Sequence, residues 1–150
     1  MKVNFNLWTL LIVYISIVFY FTIVGREPAD DYKLELQPLN AIITLLNVDY
    51  DSHGQYIVRE VLLNIGLLMP VGFLLGFPSI MSEVKFHKII ICGFFTSLTI
   101  ETLQLITKTG TCEMDDLICN TFGCAISFLI CKSNTFKTIL QWAQDYLRYK

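Results

Sequence analysis

Charged residues are scarce in this chain. They make up 16% of its 150 residues, whereas hydrophobic residues make up 54%, and a typical soluble domain carries about 25% charged residues. Mean hydropathy is +0.56. Lysine and arginine total only 11, and the formal net charge is −2. We therefore expect a membrane protein that does not bind nucleic acid.

Patterns that bind metals or form disulfides are also lacking. The five cysteines include no C-x-x-C pair, and the two histidines, His53 and His87, are far apart in the sequence. Four of the cysteines lie in or beside apolar runs, where cysteine acts as a small hydrophobic residue. The fifth, Cys112, is expected to be exposed. The sequence thus predicts neither a zinc site nor a disulfide framework.

Four long apolar runs predict four transmembrane helices. They cover about residues 7–25, 61–77, 89–106 and 114–131. A helix of about 20 residues crosses the hydrocarbon layer, which is ~30 Å thick. The first run is too long and too aromatic for a cleaved signal peptide, so it is counted as a span.

Two further segments predict helices beside the bundle. Residues 36–47 are mostly apolar after Pro38 and predict a short helix, or a re-entrant one, in the outer loop. Residues 134–150 repeat apolar positions at helical spacing and predict an amphipathic helix on the membrane surface. The expected fold is an all-α membrane protein: one domain over residues 1–150, with four spans, an outer-loop helix and this surface helix.

The distribution of lysine and arginine sets the expected orientation. With the N-terminus inside, the cytoplasmic segments hold seven basic residues: Lys2, Lys85, Lys88, Lys132, Lys137, Arg148 and Lys150. The outer segments hold four: Arg26, Lys33, Arg59 and Lys108. Both termini are therefore expected in the cytoplasm.

Polar and small residues occupy opposite ends of three predicted helices. Residues three or four apart share a helix face. The polar members are Glu60 with Asn64, Glu101 with Gln104, and Asp116 with Asn120; the small members are Gly72 with Gly76, Gly93 with Ser97, and Gly123 with Ser127. Small residues at this spacing let helix backbones approach closely. We expect tight packing at the small ends and a shared polar site at the other ends, in the outer half of the membrane.

The acidic residues of this site differ in their expected roles. Asp115 and Asp116 stand at the start of the fourth helix, where carboxylates cap exposed amides and complement the helix dipole. Glu101 lies inside the third helix, where facing lipid would cost about 2–3 kcal/mol, so it is expected to face the bundle. Two acids in one apolar space are candidates for function, and Glu101 and Asp116 are the candidate ligands of a divalent cation.

Four motifs in order resemble the VanZ-like family of bacterial membrane proteins. The segment "LQPLNAI" is similar to the family's Asn-Leu-x-Pro-Phe segment, through Pro38. The segments "NIGLLMPVGFLL" and "ETLQ" are similar to its Asn-x5-Pro-x-Gly and Glu-x-x-Gln motifs. The segment "GTCEMDDLICNTFG" is similar to its Gly-x2-(Asp/Glu)-x2-Asp-x3-Asn-Thr-x-Gly motif. The matching residues there are Gly110, Glu113, Asp116, Asn120, Thr121 and Gly123.

Two positions depart from the family pattern. Leu39 stands where a phenylalanine is usual, and Thr111 stands where many members have an arginine. Without that arginine, Arg59 is the basic residue expected nearest the site.

The resemblance implies a role in antibiotic susceptibility at a bacterial cell membrane. The family's namesake lowers susceptibility to teicoplanin, a glycopeptide that binds lipid-linked cell-wall precursor outside the membrane. An outer site that binds a lipid-linked or lipopeptide molecule fits that biology. The acids of the site would repel a bare pyrophosphate, so a bridging divalent cation or an amine-bearing ligand is expected; no other cofactor is implied.

Two alternatives stay open at this point. A Glu–Asp acid–base pair can serve an enzyme that acts on a lipid-linked substrate, although the chain lacks an evident activated nucleophile. A structural subunit that binds partner proteins is the other alternative. The residues expected to form the functional site are Glu60, Asn64, Arg59, Glu101, Gln104, Glu113, Asp115, Asp116 and Asn120.

Overall fold

The fold is mostly helical. The computed structural model describes residues 4–47, 52–77 and 84–148. Helix α1, Asn4–Phe19, continues into a π-helical turn, Tyr20–Val24. The following elements are β1 Lys33–Glu35, α2 Asn40–Asn47, α3 Ser52–Gly76, α4 Phe86–Thr107, β2 Thr111–Glu113, α5 Met114–Lys132 and α6 Asn134–Arg148.

Three helices are long and apolar enough to cross a membrane. They are α4, α5 and the Gly54–Gly76 part of α3. A shorter apolar helix, Thr9–Val24, covers much of the first predicted span. Large hydrophobic side chains along α1 and the π-helical turn are exposed, including Ile12 at 64% and Phe21 at 67%. Such exposure fits a helix that faces lipid on several sides.

Helix α3 begins well before residue 61, the start that its apolar run predicts. The extra turns carry Gln55, Arg59 and Glu60. A helix can continue beyond an apolar layer because polar residues do not stop it, so the apolar run marks the membrane-compatible part and not the helix. The N-terminal part of α3 therefore supplies polar side chains to the site described below.

A short parallel sheet accompanies the helices, and the sequence does not predict it. Strand β1 pairs with β2, and Leu34 lies opposite Cys112 in the register. Each strand has three residues, which is too short for an alternating pattern to reveal it in the sequence. Because β2 runs directly into α5, the sheet fixes the start of α5 against the segment that precedes α2.

Glycines allow α3 and α5 to pack with their backbones in contact. A β-carbon at Gly72 would lie 1.9 Å from the carbonyl oxygen of Cys124, and one at Gly123 would lie 1.8 Å from that of Ile65. Gly93 of α4 is also tight, because its β-carbon would lie 3.0 Å from that of Cys124. These contacts confirm the close packing predicted from the small-residue spacing.

The apolar core lies on the same helices. Leu68, Val71, Ile89, Cys124 and Phe128 belong to one buried cluster that joins α3, α4 and α5, with α1 contributing at its edge. Burying such side chains is the main favourable contribution to packing in water, and in lipid close van der Waals contact replaces it.

The aromatic side chain of Phe136 attaches helix α6 to the bundle. Phe136 packs edge-on against Phe73, with ring centroids 5.2 Å apart, and against Phe77 at 6.3 Å. Farther along, Trp142 and Leu147 are 68% and 73% exposed. The helix thus leaves an apolar face uncovered, although its position on a membrane stays a prediction.

Candidate functional site

A cavity of about 500 Å³ lies where the polar ends of α3, α4 and α5 meet. The π turn after α1 and strand β2 complete its wall. We call it the polar cavity. Its polar lining consists of Thr22, Arg26, Tyr56, Glu60, Asn64, Glu101, Gln104, Thr111, Glu113, Asp116 and Asn120. Phe21, Leu63, Leu67 and Ile100 form its apolar lining.

Most of the site residues predicted from the sequence line this cavity. They are Glu60, Asn64, Glu101, Gln104, Glu113, Asp116 and Asn120. Arg59 and Asp115 are not part of the lining. The spacing argument succeeds for the first group because each pair lies on one helix face that turns toward the neighbouring helices.

Arg26, and not Arg59, is the basic residue at the cavity. Arg59 precedes Glu60 by one residue, which turns it about 100° around α3, and it is exposed. Arg26 follows the π turn, and a β-carbon at Gly110 would lie 3.3 Å from its Nη1. The prediction that Arg59 is the basic residue nearest the site was therefore wrong. Arg26 comes close to the cavity only because the π turn packs on α4.

A hydrogen bond between side chains joins α3 to α5 at the cavity. The Asn64 amide donates to the Asp116 carboxylate. Asp116 belongs to the first turn of α5 and is partly buried. The carboxylate thus receives a donor from a neighbouring helix, which stabilises it away from lipid.

Glu101 is held from the other side. It is only 2% exposed, and its Oε2 accepts the backbone N–H of Glu113 at 3.1 Å. The donor belongs to the last residue of β2, so the strand places its backbone amide beside a carboxylate of α4. Glu101 faces the bundle, as its position within an apolar helix predicts.

Asn120 has one partner and one unpaired atom. It is 1% exposed, and its Nδ2 donates to Ser97 Oγ at 3.0 Å. Its Oδ1 is buried and has no hydrogen-bond partner within residues 4–47, 52–77 and 84–148. A buried acceptor without a donor costs about 1–3 kcal/mol, so a structure that retains one next to a cavity suggests that something else supplies the donor.

Asp115 holds helix α2 instead of lining the cavity. Its carboxylate accepts the backbone N–H groups of Leu39 and Ala41, the latter at 2.6 Å. Leu39 has a positive φ of 62°, a strained conformation for a branched side chain. The prediction that Asp115 caps its own helix was wrong: its two oxygens cap the start of α2, which comes close through the β1–β2 sheet.

Gln104 connects α4 to the π turn. Its Nε2 donates to the carbonyl oxygen of Thr22 at 3.4 Å. A π turn shifts the hydrogen-bonding pattern of a helix and occurs often at functional sites. Here the π turn brings Thr22 and Arg26 to the cavity. No local pattern in the sequence predicts this turn.

Carboxyl groups dominate the charge of the cavity. Glu60, Glu101, Glu113 and Asp116 line it, against the single guanidinium of Arg26. Burial raises the pKa of Glu113, and the nearby Glu35, Glu60 and Asp115 raise it further. The cavity therefore favours a positively charged occupant over an anion.

The neighbouring thiol responds to the same charges. Burial, followed by the carboxylates of Glu101, Asp116 and Glu113, raises the pKa of Cys112. Cys112 is partly exposed and lies on β2. It is thus a weakly reactive thiol beside an acidic cavity.

A divalent-cation site formed by the protein alone receives no support from the geometry. Within the described parts of the chain, no three side chains of histidine, cysteine, aspartate or glutamate converge closely enough to hold a metal ion. Glu101 and Asp116 would need oxygen ligands from a bound molecule to complete such a site.

The match to a family model decides the family. The model described as VanZ/LLP1 matches residues 7–139, which is most of the chain. The chain belongs to the VanZ/LLP1 family. Neither the curated proteins nor the solved structures include a match to it.

Many of the motif residues of this VanZ/LLP1 chain fall into two groups. One group lines the polar cavity: Asn64, Glu101, Gln104, Gly110, Glu113, Asp116 and Asn120. The other group packs helices together, with Gly72 and Gly123 in backbone contact across α3 and α5. The family membership and the long apolar helices together fit a membrane protein.

Proposed function

We propose that this VanZ/LLP1 protein crosses the bacterial cell membrane several times and binds a lipid-linked or lipopeptide molecule in the polar cavity. Binding there changes the susceptibility of the cell to glycopeptide antibiotics of the teicoplanin type. The observation that carries the proposal is the cavity itself, where acids and amides from three apolar helices surround about 500 Å³ of space.

The proposed topology places this cavity at the outer leaflet. Lysine and arginine are more numerous in the segments assigned to the cytoplasm, at seven against four. Helix α1 is the fourth span in this arrangement, and both chain termini are cytoplasmic. Helix α6 lies on the inner surface, with Trp142 and Leu147 directed into the interfacial layer.

An amphiphile fits the cavity better than a fully polar molecule. Polar groups of α3, α4 and α5 line one part, and Phe21, Leu63, Leu67 and Ile100 line the rest. A headgroup can contact the first set while hydrocarbon contacts the second. Lipid-linked precursors and lipopeptides both combine these chemical characters.

The deciding experiment is antibiotic susceptibility. Cells that express the wild type should survive more teicoplanin than cells that express Asp116→Asn at equal membrane level, because the substitution removes a carboxyl group from the lining of the cavity. Asp145→Asn on α6, exposed and outside the cavity, is the matched control and should retain the wild-type phenotype. Equal survival with all three proteins, above cells that lack the protein, would contradict a role for the cavity.

Lipid extraction identifies the bound class. Wild-type protein purified in mild detergent should carry an amphiphile that is detected by mass spectrometry and is depleted in Asp116→Asn. Purification with a chelator tests the cation that the sequence analysis considered. Loss of the amphiphile with chelator would favour a bridging ion, and retention would favour direct contact with the carboxylates.

A further inference from the structure

The lining of the polar cavity has an excess of hydrogen-bond acceptors. Four carboxyl groups line it, together with the amide oxygens of Asn64, Gln104 and Asn120. Some donors of the lining are already used, because Asn64 donates to Asp116 and Gln104 donates to the Thr22 carbonyl. An occupant that brings donors and positive charge would match this lining.

Asn120 provides an independent indication of a missing donor. Its side chain is almost fully buried and lines the cavity, while its Oδ1 lacks a partner within the described residues. Ser97 Oγ accepts from the Nδ2 of the same amide, which leaves Oδ1 for a ligand. Only a group that carries N–H or O–H can satisfy this atom.

We propose that the polar cavity selects an amphiphile with a primary ammonium headgroup. The ammonium group supplies charge to the carboxylates and an N–H to Asn120 Oδ1. This inference rests on the proposed function in one respect, that an amphiphile occupies the cavity. It adds the chemical class of the headgroup, and it can fail while lipid binding itself holds.

An apolar groove beside the cavity explains why the amine belongs to an amphiphile. The groove has a volume of about 280 Å³ and lies between α1, α3 and α4, where Val18, Leu68 and Leu103 line it. Ile100 lines both the groove and the polar cavity. A headgroup in the cavity therefore places a hydrocarbon chain next to a lining that suits it.

Arg26 indicates how a bound headgroup would be oriented in the cavity. It is the single basic residue among those that line the cavity, and it lies near Gly110 and the Gln104 amide. A phosphate linked to the ammonium by a short spacer can contact Arg26 while the ammonium contacts the carboxylates. A zwitterionic headgroup thus matches both ends of the cavity.

The test compares lipids that differ only in the headgroup nitrogen. The full chain in detergent micelles is titrated with phosphatidylethanolamine, its N-acetylated form and phosphatidylcholine, all with the same acyl chains, and binding is measured by native mass spectrometry. The primary ammonium lipid should bind about tenfold more tightly than the N-acetyl lipid, which has no positive charge. It should bind about threefold more tightly than the quaternary lipid, which has no N–H for Asn120. Phosphoethanolamine without acyl chains should bind more weakly than the lipid.

The outcomes separate this inference from the proposed function. Equal binding of the three lipids would overturn the amine selectivity and leave the lipid site standing. Absence of binding by all three lipids would overturn this inference, whereas the proposed function would fail only if the purified protein carried no amphiphile. Tight binding of free phosphoethanolamine, equal to that of the lipid, would overturn the assignment to an amphiphile.

Variants locate the selectivity in the cavity. Asn120→Leu should abolish the preference for the primary over the quaternary ammonium, whereas Ser97→Ala, which keeps Oδ1, should retain it. Glu60→Gln should reduce the preference for charged over N-acetylated lipid, whereas Glu27→Gln, exposed and outside the cavity, should not. Glu60 is itself exposed, so this pair gives a readout even if the buried Asn120→Leu variant fails to fold. Unchanged preference in Glu60→Gln would contradict the inference.

Discussion

The two ends of the same three helices differ in how they meet. At one end glycines bring backbones together, and a β-carbon at Gly72 would lie within 1.9 Å of a carbonyl oxygen of α5. At the other end polar side chains bridge the helices and a cavity of about 500 Å³ lies between them. The closest backbone approach, Gly123 against Ile65, is beside Asn64 and thus at the boundary between the two ends.

This difference shows how an apolar bundle can hold a polar site. Tight glycine contacts fix the separation of α3 and α5, so the polar side chains do not have to hold the helices together by themselves. The polar end is then able to keep Asn120 Oδ1 without a donor from the described part of the chain, whereas a purely structural network would satisfy this acceptor.

The largest effect should come from substitution at the glycine end. Gly123→Leu should destabilise the protein by at least about 3 kcal/mol, because its side chain overlaps the Ile65 carbonyl and forces α3 away from α5. Gly66→Leu is the matched control, since a β-carbon there meets no atom within 4 Å. The measurement is the fraction of monodisperse protein left after heating in detergent; equal losses in both variants would contradict the packing account.

The next largest effect should come from the link between α5 and α2. Asp115→Ala should destabilise the start of α2 by about 0.5–2 kcal/mol, because two partly buried backbone donors lose their acceptor. Hydrogen exchange at the amides of Leu39 and Ala41 should accelerate strongly. Asp145→Ala on α6 should leave both amides protected, and unchanged exchange in Asp115→Ala would mean that the sheet alone holds α2.

A smaller effect concerns the pH dependence of stability. The folded state raises the pKa of Glu113 above its ordinary value of 4.5, so the folded state binds more protons than the unfolded state between the two values. Stability should therefore fall as pH rises through that window and then level off. Glu113→Gln should reduce this decline in thermal unfolding measured across pH, because the other carboxyl groups of the cavity remain. A decline that persists unchanged would assign it wholly to those other groups.

The smallest effect is on thiol reactivity. A membrane-impermeant maleimide should label Cys112 from outside the cell, but more slowly at neutral pH than an ordinary exposed thiol, since its pKa is raised. The rate should increase with pH. Cys112→Ser should remove the external labelling, and labelling of the wild type only after permeabilisation would reverse the proposed topology.

Sequence patterns were sufficient to predict the features that repeat along a helix. The spacing of Glu60 with Asn64, Glu101 with Gln104, and Asp116 with Asn120 predicts a shared face, and all six line the cavity. The small-residue spacing likewise predicts the close contacts of Gly72 and Gly93. Helical periodicity carries this information because side-chain direction follows residue number.

Features that depend on contacts distant in sequence were not predictable in this way. Asp115 meets α2 across 74 residues of chain, and the β1–β2 pair is too short to leave a pattern. Arg26 reaches the cavity only because the π turn packs on α4 through Gln104. Each of these arises from tertiary packing that local propensity and periodicity do not encode.

The most direct test of the shared polar cavity is cross-linking between α3 and α5. Asn64→Cys and Asp116→Cys, introduced together, should be joined by a short thiol cross-linker in intact membranes, because the native side chains are hydrogen-bonded to each other. Mass spectrometry of the digest distinguishes this product from links to native cysteines. The control pair combines Leu62→Cys with Asp116→Cys and keeps Asn64. The Leu62 side chain is 61% exposed on the outside of the bundle. A 64–116 product with little 62–116 product is the expected result, and the reverse would contradict the account.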